Sequence, residues 1–406
     1  MHFQLAWRNV WRNPRRTTVI LIAVIIGVWS MILLNALSRG FLENMVENGI
    51  STLTGHIQIL APSYHQDPVV ENSIEQTERV ERILEARLPP GSIWAPRVSV
   101  GAIASNARHS TGVTLVGIVP GREAGLSFIG RSVDQGKYLE ESDDEGILVG
   151  EALLKDFETR LGHKLVVMAQ GTDREIISRA FRIRGGFHAE LEATEKQYVF
   201  ITLPAAQNML KLGTAVSQFS VLLPASRIAG RVAEDLKQEL PTGVEVWTWQ
   251  ELLPMVRAYM SLMDGFMYIW NVVVFVAMGF GLVNTVLMAV YERMREFGLL
   301  KALGMRPSRI LKDVIIESLY LLCIGAVVGN ILGFASVWIL GRTGIDLSAF
   351  AAGSEYFGMS RVIYPALAAK DVVVANLTVL ALGLLVSMYP ALKASRFKPV
   401  EALART

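Results

Sequence analysis

The sequence predicts a membrane α-helical protein with four transmembrane helices and a large extracytoplasmic mixed α/β domain between helices 1 and 2. Three observations predict it. Hydrophobic residues make up 51% of the 406, too many for an ordinary soluble enzyme, while 19% charged residues are too many for a chain embedded throughout in lipid. Four runs lack any charge over a length that crosses a bilayer. Arginine and lysine crowd beside alternate ends of those runs, and such basic flanks mark the cytoplasmic side.

In chain order, residues 1–16 form a cytoplasmic segment carrying Arg8, Arg12, Arg15 and Arg16. The first span, 17–38, is uncharged from Thr17 to Ser38, and these 22 residues at about 1.5 Å each reach roughly 33 Å. It exceeds the apolar core of a secretory signal and no small-residue cleavage site follows, so it reads as an uncleaved anchor. Residues 39–264 are the outer domain. The second span is 265–291, the third 313–341, built on the uncharged stretch from Ser318 to Gly341, and the fourth 372–392. A basic segment, 292–312, joins the second and third spans inside; an outer loop, 342–371, joins the third and fourth; a basic tail, 393–406, ends the chain. Both termini are therefore placed in the cytoplasm.

The outer domain begins with Phe41 to Thr54, which continues the first span as a helix. GHIQIL, Gly55 to Leu60, alternates as a strand does, and Ile74, Val80, Ile83, Leu84 and Leu88 have helical spacing. Strands follow at APRVSVGAIAS, TGVTLVGIV, KLVVMAQ and REIISRAFRIRG, with a helical EALLKDF between two of them. QFSVLLP, SRIAGRVAEDLKQEL and VEVWTW read as strand, helix, strand, a split βαβ unit. Two subdomains are expected, one strand-rich and one holding this unit.

Within the spans, small residues recur every four positions: Gly325, Gly329 and Gly333 on the third, Ala277, Gly281, Thr285 and Ala289 on the second, Gly383, Ser387 and Ala391 on the fourth. Close helix packing is implied, either within one chain or along a seam between two copies or related chains. Asn35, Asn284, Asn330 and Glu317 are costly in lipid and mark either a substrate path or locally satisfied groups; Glu317, in the first turns of the third span, is read as reaching water.

Several functions are excluded. The net charge of +2 leaves no nucleic-acid footprint, and the single cysteine, Cys323, permits neither an internal disulfide nor a cysteine zinc site. GxxxxGK[ST], HExxH and GxSxG are missing, and the six histidines have no metal-ligand spacing. EESDDE, Glu140 to Glu145, reads as a solvated turn. No catalytic, cofactor-binding or metal residue is assigned.

The most informative stretch is YERMREFGLLKALGMRPSRILKD between the second and third spans. Phe297, Leu300 and Leu303 recur at three-residue steps, Gly304 suits a left-handed C-cap, Pro307 forbids continuation, and Ser308 is expected to N-cap the next helix. Glu292 with Arg295, and Arg293 with Glu296, are pairs three residues apart on the wet side. A short, stiff amphipathic helix between two spans makes a lever.

LAWRNVWRNPRRT before the first span, GHIQI after it and VEVWTWQELLP before the second form an ordered set. So do Glu292, Arg295, Glu296, Phe297, Gly298, Leu299, Leu300, Lys301, Ala302, Leu303 and Gly304, and YPALKASRFKPVEALAR at the C-terminus. In this order around four spans they resemble the MacB/FtsX-like permease family of ATP-binding cassette (ABC) transporters, and within it the lipoprotein-releasing LolC/LolE type. The resemblance covers nearly the whole chain. It implies a non-catalytic permease of the bacterial inner membrane with a periplasmic domain, whose segment Glu292 to Gly304 is a coupling helix for a cytoplasmic ABC ATPase. With about 16 residues ahead of the first span, that ATPase, with its ATP and magnesium, is expected on a separate chain. By the same resemblance Phe297, Leu300 and Leu303 fill a groove of the ATPase, and Arg295, Glu296 and Lys301 make polar contacts. A second permease chain, identical or related, a periplasmic adaptor or chaperone, and membrane lipid are the other implied partners. The implied work is mechanotransmission that releases or exports a lipoprotein or other hydrophobic cargo. The alternative is a signalling or scaffold protein that transmits between an outer ligand or hydrolase and a cytoplasmic ATPase.

Overall fold

A computed structural model describes residues 11–346 and 362–397. Arg8 and the start of the N-terminal motif, part of the loop 342–371, and the end of the C-terminal motif with most of the tail lie outside the described residues.

Helix α1, Pro14–Gly49, runs into a π turn, Ile50–Thr54. Then come β1 (Ile57–Leu60), α2 (Thr77–Arg87), β2 (Ile93–Ser105), β3 (Ser110–Ile118), α3 (Pro120–Glu123), β4 (Val133–Gly136) and β5 (Gly146–Gly150). They are followed by α4 (Glu151–Asp156), β6 (Lys164–Gln170), β7 (Ile176–Phe187), α5 (Glu192–Gln197), β8 (Tyr198–Thr202) and α6 (Leu203–Leu210). Next are β9 (Gln218–Leu222), α7 (Ala229–Glu239), β10 (Glu245–Thr248) and α8 (Trp249–Leu252). Helices α9 (Pro254–Glu292), α10 (Met294–Ala302), α11 (Pro307–Thr343) and α12 (Ala369–Arg396) complete the described chain.

Four helices, α1, α9, α11 and α12, are long and apolar enough to cross a membrane. Each outruns its uncharged run, because a helix ends where its backbone finds other partners and not where charge begins. The segment 292–312 is accordingly not one helix: Glu292 closes α9, α10 stands alone, and the residues from Pro307 already belong to α11. Ser308 does not cap α11. Pro307 takes the first helical position and holds Arg306 before it extended, at φ −68 and ψ 137.

The chain divides into two compact units, one of residues 11–43, 259–346 and 362–397, the other of 44–258. In the first, the glycine stripe of α11 is a groove for α1. A Cβ at Gly325, Gly329 or Gly333 would come within 2.6, 2.8 and 2.9 Å of Val24, Val28 and Ile32. This stripe therefore packs inside one chain. Gly383 of α12 meets Leu322 in the same way, at 2.7 Å, whereas Gly281 of α9 has only Ala23 near it, at 3.9 Å. Some polar groups in the bundle pair with each other: Trp29 Nε1 donates to Ser336 Oγ at 3.0 Å, and the amides of Asn330 and Asn376 exchange hydrogen bonds of 2.7 and 3.0 Å, while Asn271 Oδ1 is buried without a partner among the described residues.

In the second unit the strands run in the order β10-β1-β9-β2-β3-β8-β5-β7-β4, with β6 against β2 and β7. β1 lies antiparallel between β9 and β10, so β9, α7 and β10 form the split unit and β1 fills the split. The long β2 joins two sets of pairings: Ile93 to Arg97 pair with β9, and Val98 to Ser105 with β3. Strands β5 and β8 escape the sequence pattern. Their residues are almost all buried, so they show no alternation of apolar and polar positions. Behind them Phe128, Phe187 and Phe200 meet edge to face, with centroids 5.4 to 6.1 Å apart.

Arg97 sits where β2 changes partners. Its guanidinium grips Glu123 with two hydrogen bonds, 3.0 Å from Nε and 2.6 Å from Nη2, both side chains essentially without exposure. The remaining Nη1 donates to the carbonyl oxygen of Leu53 in the π turn that ends α1. Burial, with the Glu123 charge nearby, pushes the Tyr138 hydroxyl well above its usual range.

Candidate functional site

Helix α10 is short because its sequence stops it at both ends. Arg293 leaves helical geometry between α9 and α10, and Gly304, at φ +90, takes the left-handed conformation that glycine adopts without a Cβ penalty. Gly304 N–H then bonds to Lys301 O at 3.0 Å and Met305 N–H to Leu300 O at 2.9 Å, a complete Schellman closure.

One face of α10 is packed. Phe297 is 3% exposed and joins the cluster of Val290, Val314 and Leu321 from α9 and α11, with Leu300 against its edge. Gly298 is buried beside it, which explains a residue too small for a side chain there. Over the Phe297 ring, 5.1 Å from its centroid, lies the Arg293 guanidinium. Arg293 also donates to Glu317 Oε2 at 2.9 Å and pairs with Glu296 at 3.3 Å, and Glu296 accepts in turn from Arg12. Glu317 therefore faces Arg293 rather than open water, contrary to the expectation from its place in the third span. The hydrogen bond from Arg12, with help from Arg293, holds the Glu296 carboxyl below its usual range.

At the other end Lys301 donates to the carbonyl oxygens of Ser395 and Phe397, at 2.6 and 2.8 Å, where the negative end of α12 favours a cation. The helix is thus tied to α9, α11, α12 and the entry of α1.

The opposite face is open. Glu292, Arg295, Leu299, Ala302, Leu303 and Gly304 are exposed, Leu299 at 54% and Leu303 at 77%. The residues proposed from sequence divide accordingly. Leu303 and Arg295 are presented outward, Leu300 is half-buried, and Phe297, expected to fill a partner's groove, is core of this chain. Glu296 and Lys301 spend their charges on Arg12, Arg293 and the end of α12. Leu299 was missed; only the helical wheel, which sets it beside Leu303 four residues on, points to it. Arg12 was read as a mark of orientation and as part of the N-terminal motif, not as a partner of α10. Among the described residues no group of three His, Cys, Asp or Glu side chains is placed to hold a metal.

A bundle of long apolar helices carries an α/β insert after the first and a short, anchored, half-apolar helix after the second, the plan of a membrane component. Residues 17–239 match the MacB-like periplasmic core domain and 268–399 the FtsX-like permease C-terminal family. The chain belongs to the MacB/FtsX-like permeases of ABC transporters, of the LolC/LolE/MacB type. It is 23% identical to the lipoprotein-releasing system transmembrane protein LolC of Neisseria meningitidis over 95% of this chain and 93% of that one. To LolE of Haemophilus influenzae it is 22% identical over 99% of each. Against the pyoverdine export ATP-binding/permease protein PvdT of Pseudomonas syringae pv. tomato it is 24% identical, over 98% of this chain and 58% of PvdT.

Proposed function

We propose that this chain is the membrane subunit through which a separate cytoplasmic ABC ATPase, carrying the ATP and magnesium, does mechanical work on a cargo at the outer face of a bacterial inner membrane. The observation that supports this reading is the open face of α10: two exposed leucines and Arg295 on a helix whose every other side is fixed to the bundle. A helix so held transmits a push to α9 and α11 instead of absorbing it. Leu299 and Leu303 are the apolar anchors for the ATPase and Arg295 its polar contact, while Phe297, Glu296 and Lys301 keep α10 attached to the permease. Both termini lie in the cytoplasm and residues 44–258 in the periplasm, against an adaptor or chaperone that receives the cargo. By similarity to the lipoprotein-releasing relatives, the cargo class is a lipoprotein or another hydrophobic molecule drawn from membrane lipid. A second permease chain completes the transporter.

The test is co-purification with a co-expressed ABC ATPase from the same organism. L299S/L303E is expected to lower the retained ATPase at least tenfold while the permease still elutes as a single species. Wild-type retention by that variant would sink the assignment.

A further inference from the structure

The outer ends of α1 and α9 are held in different ways. On α1 a buried face recurs every four residues, from Ile20 through Val24, Val28 and Ile32 to Ala36 and Gly40, past the end of the uncharged run at Ser38. On α9 the buried face runs from Val290 back to Met278 and stops; from Tyr259 to Ala277 no residue is buried.

Three contacts close on the outer end of α1. Arg39 grips Asp371, in the first turn of α12, with two hydrogen bonds, 2.7 Å from Nε and 3.0 Å from Nη2. This two-pronged geometry fixes direction as well as distance. The segment 364–368, neither helix nor strand, leads into α12 and crosses α1, where Ala366 N–H donates to Ala36 O at 3.0 Å. A carbonyl oxygen has two lone pairs, so Ala36 O can take this bond beside its helical one. Gly40 makes the crossing possible, because a Cβ there would overlap the carbonyl oxygen of Tyr364.

Helix α9 meets α1 at this end by other means. Arg39 feels the charge of Asp264 on α9, but the two form no ion pair. Phe41 and Tyr259 touch as rings with centroids 5.6 Å apart, an apolar contact that can slide. In the same stretch of α9 lies the unpartnered, buried Oδ1 of Asn271. An open buried acceptor is costly in one fixed position and better tolerated on a helix that also visits another.

We infer that the segment 364–368 and the Arg39–Asp371 pair clasp the outer end of α1, so that α1, α11 and α12 form one body and the outer half of α9 swings against it. Arg39, Gly40 and Asp371 are then positioning residues. Helix α9 runs on through Glu292 toward α10, so the helix left free at its far end is the one that starts at the proposed ATPase contact. That last link rests on the function proposed above; the clasp does not.

Spin labels on the full-length protein in lipid nanodiscs test it, with Cys323→Ser to remove the native thiol. The labelled pairs use exposed sites: Glu43→Cys on α1 with Val373→Cys on α12, and Glu43→Cys with Tyr268→Cys on α9. In double electron–electron resonance the 43–373 distance distribution should be narrow and the 43–268 distribution about twofold wider. Asp371→Ala and, separately, Gly40→Val should each widen the 43–373 distribution about twofold. With a co-expressed ABC ATPase trapped by ATP and vanadate, the 43–268 mean should shift by about 3 Å or more and the 43–373 mean by less than about 1 Å. Equal widths for the two pairs, a 43–373 distribution indifferent to both variants, or equal shifts on trapping would each overturn the inference. The first two readouts use the permease alone, so they decide the clasp even if the ATPase does not bind α10.

Discussion

Two clusters of charge sit at helix ends in this protein, and they differ in nearly everything but chemistry. In the outer unit Arg97 and Glu123 are sealed from water and close on the π turn that ends α1. In the bundle unit Arg12, Glu296, Arg293 and Glu317 form a chain that begins half in solvent, with Arg12 and Glu296 side chains 60% and 41% exposed, and ends buried on α11. The sealed pair acts as a fixed joint, since separating its partners strands a charge without water. The open chain acts as an adjustable tie, whose outer members exchange partners with solvent at small cost. The outer unit thus has its fixed tie between β2 and the π turn, and the bundle unit its exchangeable one beside α10.

The sharpest way to break this comparison is to remove one member of the sealed pair. Arg97→Leu should lower unfolding stability by about 3–5 kcal/mol, measured by denaturant or thermal melts of the full-length protein in detergent. Replacing both partners by apolar residues should recover much of that loss; a double variant as unstable as the single one would mean the pair itself is not the cause.

A purely steric joint offers the next largest effect. Gly329→Leu drives a side chain into Val28 and should cost about 1–3 kcal/mol, read as a lower melting temperature without change in the outer unit's tryptic protection. Gly281→Ala, with open space around it, should be close to neutral.

The smallest effect belongs to the open chain. Glu296→Gln should cost less than about 1 kcal/mol in stability. Because the folded carboxyl titrates below its unfolded value, its contribution is present above the ordinary carboxylate range and is lost as pH falls through the folded value. A stability profile between pH 7 and pH 3 should therefore fall more gently in the variant, by no more than that amount. A loss comparable to that of Arg97→Leu would erase the distinction between fixed and exchangeable ties.

Much of the fold was legible in the sequence wherever a property is local. Uncharged runs located the long helices, Gly304 and Pro307 bracketed α10, and the strand-helix-strand run from Gln218 marked the split unit. Strands β5 and β8 were not legible, because full burial removes the alternation that identifies a strand. The site was half legible. The place of α10 and its apolar content were plain, yet Phe297 and Leu303 look equivalent in sequence and have opposite fates in the structure.

By itself the sequence determined what depends on near neighbours: which segments are apolar enough to span, and that Gly304 and Pro307 close a short helix between the second and third of them. Tertiary structure alone decided which face of α10 is spent internally, that Gly325, Gly329 and Gly333 seat α1, and that Arg12, Arg97 and Glu317 find partners far along the chain. The reason is physical. A helix with apolar residues on two sides can bury either, and the choice falls to the surfaces that long-range packing brings against it, which no spacing within the helix records.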